Sequence, residues 1–94
     1  MLKFFNLFIE LSASKKKMYL NCLRKTNYII ENNIRDEKQI EGILDSLLDI
    51  VYDSDVAKLY CTLCDYYSKF NKENANIFYK FYEDEINQSN NRKR

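Results

Sequence analysis

The sequence has no histidine, no proline and no tryptophan, and its single glycine is Gly42. Without histidine, the commonest general base and the commonest metal ligand are both missing, and no serine has a partner for a catalytic triad. One glycine and no proline cannot supply the many tight turns of a β-sandwich or barrel. A glycine-rich phosphate loop is excluded for the same reason. An excess of one charge is also lacking: 15 Lys and Arg against 14 Asp and Glu leave a net charge of +1. So weak a field argues against a dedicated nucleic-acid binder, which carries a strongly basic face. No run approaches the ~20 apolar residues of a membrane span. Catalysis is not expected, and neither is a cofactor.

What is present is apolar and regularly spaced. Hydrophobic residues make up 46% of the 94 positions, with eight tyrosines and six phenylalanines, so the chain folds as one small domain. Asn, Lys, Ile, Tyr and Phe together fill 45 positions, all encoded by AT-rich codons, which points to a low-GC genome such as that of a virus, phage or plasmid. Three cysteines, an odd number, fit a reducing cytoplasm better than a disulfide framework. Near the amino terminus Asn6 and Glu10 interrupt an already short apolar run, so no signal peptide is expected.

Helical periodicity organises the chain. Residues 2–11 read as a short helix that is apolar around most of its circumference, with only Lys3, Asn6 and Glu10 as a polar strip. Residues 15–33 carry the stripe Met18, Tyr19, Cys22, Leu23, Thr26, Ile29 and Ile30. A break at Ser12-Ala13-Ser14 is expected between them; one continuous helix over 2–33 is the alternative. Asp36, with Gln39 three residues on, has the form of a capping box. The stripe Ile40, Ile43, Leu44, Leu47, Leu48 and Val51 follows, and Gly42 lies off it, suited to the close approach of another backbone. Asp53-Ser54-Asp55 caps a helix over 55–70, and Asn71 caps one over 72–87. The expected fold is all-α, a small antiparallel bundle of four to five helices over 1–86, followed by a flexible polar and basic tail over 87–94.

The motifs that could carry chemistry read as structural. Cys61-x-x-Cys64 falls in mid-helix, whereas a redox pair sits at a helix N-terminus where the dipole lowers the thiol pKa. A zinc site would need a fourth ligand beyond Cys22, Cys61 and Cys64. Asp45, Asp49 and Asp53, and the run Glu83-Asp84-Glu85, read as solvated faces. The hairpin 56–82 resembles a single tetratricopeptide repeat at Tyr60, Leu63, Cys64 and Tyr67 and again at Ala75, Tyr79 and Tyr82. Its turn is one residue short, cysteine stands where that family has a small glycine, and no second copy occurs in 15–52. In size and helical content the chain is similar to bacteriocin immunity proteins and phage-encoded inhibitors.

The aromatic surplus is the functional signal. Phe78, Tyr79, Phe81 and Tyr82 span more of their helix than the ~100° that a peripheral helix buries, and the apolar residues of 2–11, with Phe4, Phe5 and Phe8 among them, do the same near the amino terminus. These seven are the expected contacts for another protein or for a second copy in a homodimer. The alternative is nucleic-acid binding through Lys15, Lys16, Lys17, Arg24 and Lys25, with Tyr28 sharing the stripe of Lys17, Asn21 and Arg24. The expected function is a non-catalytic interaction module: a regulator, inhibitor or immunity-type protein.

Overall fold

Capping side chains set where each helix of this chain starts. A computed structural model describes residues 12–92, with side chains as far as Gln88, and every regular element in this stretch is helical. The helices are α1 (Ala13–Glu31), α2 (Glu37–Leu48), α3 (Ser54–Ser68) and α4 (Lys72–Arg92). Ser12 is extended, with ψ at 162°, and its hydroxyl accepts from the Lys15 amide at 3.3 Å. A helix running unbroken from residue 2 to 33 is thereby excluded. Asp36 accepts from the Gln39 amide, Asp53 from those of Asp55 and Val56, and Asn71 from that of Asn74. Each bond satisfies an amide that the first turn leaves without a partner. The predicted helix over 2–11 lies outside the described residues.

Helix ends differ from the expected bounds by a few residues, for local reasons. α1 stops at Glu31 because Asn33 takes the left-handed conformation, with φ at 54°. The Ile34 amide then reaches Ile29 O at 2.9 Å and the Asn33 amide reaches Ile30 O, the paired bonds of a Schellman motif. α3 ends at Ser68, two residues early. α4 continues to Arg92, past the end expected at residue 87. The loss of apolar residues after Ile86 removes packing, but no proline or glycine stops the backbone.

α3 is the central element and packs against α1, α2 and α4. Val56, Tyr60, Leu63, Cys64 and Tyr67 are fully enclosed there, with Ile29 from α1, Ile40, Leu44 and Leu47 from α2, and Ala75 from α4. The predicted stripes therefore face inward. Asp53 is a correction: it is 2% exposed, not part of a solvated face, because its Oδ1 is committed to two amides at the start of α3.

Gly42 is a second correction. No other backbone approaches it; a Cβ built there meets nothing within 4 Å. Its φ is not positive, so the glycine is not needed for the backbone conformation either. Gly42→Ala is expected to raise stability by about 0.5–1 kcal/mol, through helix propensity alone. Urea titration of the two proteins would check this, and an unchanged or lower midpoint would show that helix propensity does not decide the effect at this position.

Candidate functional site

The thiols are placed for packing. Cys22 and Cys64 are buried, Cys61 is half-buried, and all three are free. Burial pushes the Cys64 thiol up to about 12, helped by Cys61 and Asp65. Burial likewise raises Cys61, with Asp65 adding to it, and raises Cys22 against the opposing pull of Lys25. A thiol held protonated is a poor nucleophile and a poor ligand. Asp45, Asp49, Glu83 and Asp84 are exposed. Among the described residues no three of His, Cys, Asp and Glu gather as a metal site would require.

Much of the tyrosine surplus ties helices together. The Tyr60 hydroxyl donates to Phe78 O at 2.6 Å, and that of Tyr66 donates to Ile34 O at 2.6 Å. Tyr67 meets two carboxylates of α2, Glu41 at 2.5 Å and Glu37 at 3.0 Å. Its single proton serves one of them at a time. Asn71 donates to Glu37 and Asn74 to the Tyr67 oxygen, which closes a polar cluster joining α2, α3 and the start of α4. Sequence reasoning missed this cluster. Glu37 and Glu41 sit one turn apart beside the apolar stripe, but nothing local marks a partner 26 to 34 positions away.

The aromatic face of α4 divides in two. Phe78 is buried, Tyr79 donates to the Asp65 carboxylate, and Tyr82 stacks on Tyr60 with ring centroids 5.7 Å apart. These three face α3, so internal packing explains them. Phe81 is 41% exposed and Ile77, one turn before it, is 46% exposed. The Phe81 ring meets Phe78 edge-on at 5.4 Å, so the surface patch is continuous with the core. Phe4, Phe5 and Phe8 lie outside the described residues.

The basic residues cluster on α1 but do not share one face. Lys15, Lys17, Arg24 and Lys25 are exposed and Lys16 is half-buried. Lys17, Leu20, Asn21, Arg24 and Tyr28 fall within about 100° of the helix circumference, and all five are exposed. Lys25 instead joins Lys38 on a groove of about 360 Å³ between α1 and α2, which Cys22, Gly42 and Ile43 also line. Charge is segregated along the chain: residues 13–31 hold five cations and one acid, and residues 32–92 hold seven cations and twelve acids.

No protein-family model matches the chain, and comparisons with curated proteins and with solved structures return no match. The likeness of the hairpin 56–82 to a tetratricopeptide repeat therefore rests on its own residues. No helix among the described residues is long and apolar enough to cross a membrane.

Proposed function

We propose that this chain is a non-catalytic protein-binding module, built as an antiparallel helical bundle, whose contact surface is the outer face of α4. The observation that carries this reading is the exposed pair Ile77 and Phe81, in a fold that encloses most of its other large side chains. An aromatic ring left half in water beside a buried one brings large contact area at low entropic cost when a partner covers it. A regulator, inhibitor or immunity-type protein acting in a cytoplasm fits this description.

Photo-crosslinking in the cells that make the protein tests the reading. A benzophenone side chain at position 81 should give a discrete protein adduct, and the same group at exposed Tyr52 should not. Phe81→Asp should weaken capture of that adduct's partner about tenfold or more, since a central aromatic contact contributes on that scale. Equal labelling from both positions, or none from 81, would overturn it.

A second reading has one specific observation in its favour: Tyr28 is 59% exposed on the stripe that carries Lys17 and Arg24. Cations beside a free ring can meet phosphates and stack a base. Two stripe cations would give a salt dependence of affinity with a log–log slope of only about −2. Fluorescence anisotropy with short single- and double-stranded oligonucleotides at low salt decides it, and no binding is expected.

A further inference from the structure

Two exposed helix faces of this chain complement each other. On α1 the outward stripe is Lys17, Leu20, Arg24 and Tyr28; on α4 it is Glu73, Ile77, Phe81 and Asp84. Each set lies within about 100° of its helix and spans twelve residues, about 16 Å. Each pairs two apolar side chains with two charges, and the charges are of opposite sign. One stripe lies in the basic stretch of the chain and the other in the acidic stretch.

We infer that the partner of the α4 face is a second copy of this chain, docked head-to-tail through its α1 stripe. This rests on the protein-binding reading above and names its partner. Laid antiparallel, the stripes match along their whole length. Lys17 faces Asp84 and Leu20 faces Phe81. Arg24 lays its methylene stem on Ile77 with the guanidinium toward Glu73, and Tyr28 faces Glu73. Lys80, the cation at the edge of the α4 stripe, comes opposite the neutral Asn21. The reverse orientation brings Lys17 to Glu73 but sets Leu20 near Ile77 and Tyr28 against Asp84, leaving Phe81 beside Arg24 and Lys80 with no apolar match. Because the two surfaces differ, the contact is heterologous: each copy still offers one free stripe, so assembly continues into rings or short chains. The contact is small, so it is weak and visible only at high concentration.

Sedimentation equilibrium tests this with exposed residues only. At about 100 µM and low salt the mass should rise above the 11.4 kDa of the monomer, and about 0.5 M salt should return it toward the monomer. Lys17→Glu with Arg24→Glu makes both stripes acidic; Glu73→Lys with Asp84→Lys makes both basic. Each double variant alone should be monomeric, with the far-ultraviolet circular dichroism of the wild type. Mixed in equal amounts they should associate again, because every α4 then meets an α1 of opposite charge, and misfolded chains could not do this. A wild type that stays monomeric, a double variant that still associates, or a mixture that does not would each overturn the inference. A monomeric wild type that nevertheless crosslinks from position 81 to a different protein would sink the self-association and leave the protein-binding reading standing.

Discussion

Raising the pH from about 8 to about 11.5 should strongly destabilise the protein at room temperature, through acids that the folded chain ionises less readily than the unfolded one. Cys64 is fully buried and its thiol is pushed from an ordinary 9.0 to about 12. Burial also raises Tyr60 above its ordinary 10.0, with Cys64, Asp45 and Cys61 adding to the effect. Tyr67 is raised by burial first and then by the hydrogen bond it gives Glu41. The sign follows from proton binding. Below pH 9 both states hold these protons, so the full stability is present. Above it the unfolded chain releases them while the folded chain retains them, and stability falls.

Each such group removes up to ~1.4 kcal/mol per pH unit within its window. Cys64 acts from about pH 9 and Tyr60 joins from about pH 10, while Tyr67, whose hydroxyl is only partly buried, adds less. The combined loss by pH 11.5 is several kcal/mol, a large part of the ~5–10 kcal/mol that a small domain has. Urea titrations at a series of alkaline pH values would measure the slope. Cys64→Ala should make the fall between about pH 9 and 10 shallower, with Cys22 and Cys61 still contributing there and the tyrosines joining from about pH 10. A stability that is flat to about pH 11 would show that these groups reach solvent more easily than their burial implies.

The periodicity of apolar residues made the helices legible, because a 3.6-residue repeat needs no knowledge of its partner. Ile40, Ile43, Leu44 and Leu47 are all buried as their spacing implies, and Ser12, Asp36, Asp53 and Asn71 cap as their types suggest. What the spacing could not convey was rank among helices. α4 looked too aromatic for a peripheral helix, yet Phe78, Tyr79 and Tyr82 are accounted for by α3, and only Ile77 and Phe81 stay exposed. Tyrosine misled here because its ring packs like phenylalanine while its hydroxyl seeks a distant carbonyl or carboxylate. The endpoint of that bond, whether Ile34 O for Tyr66 or Glu41 for Tyr67, depends on tertiary geometry. A net charge of +1 hid the segregation of charge along the chain, which gains meaning only once α1 and α4 are seen to expose stripes of matching length.

Tyr60→Ala should be among the most damaging single substitutions and should act on α4 first. Tyr60 is fully buried on α3, its hydroxyl holds Phe78 O at 2.6 Å, and its ring stacks on Tyr82. Removing a buried ring costs about 3–5 kcal/mol, from lost transfer energy and the cavity left behind. Tyr60→Phe keeps the ring and loses only the hydroxyl, at a cost of about 1 kcal/mol. The two variants thus separate packing from hydrogen bonding at one position. The damage is directional because Phe78 O and the Tyr82 ring, both on α4, rest directly on this residue. α2 is also held to α3 by the bonds of Tyr67 to Glu41 and Glu37, which do not involve Tyr60, so it should outlast α4. Hydrogen exchange would show this as faster exchange across 74–86 in Tyr60→Ala, with the amides of α2 still protected. Equal loss of protection in all four helices would mean that α4 is not a separable unit. If α4 does detach first, the helix that carries the exposed pair Ile77 and Phe81 loses its support from α3. Partner binding should then fail in Tyr60→Ala at temperatures where α2 remains folded, and survive in Tyr60→Phe.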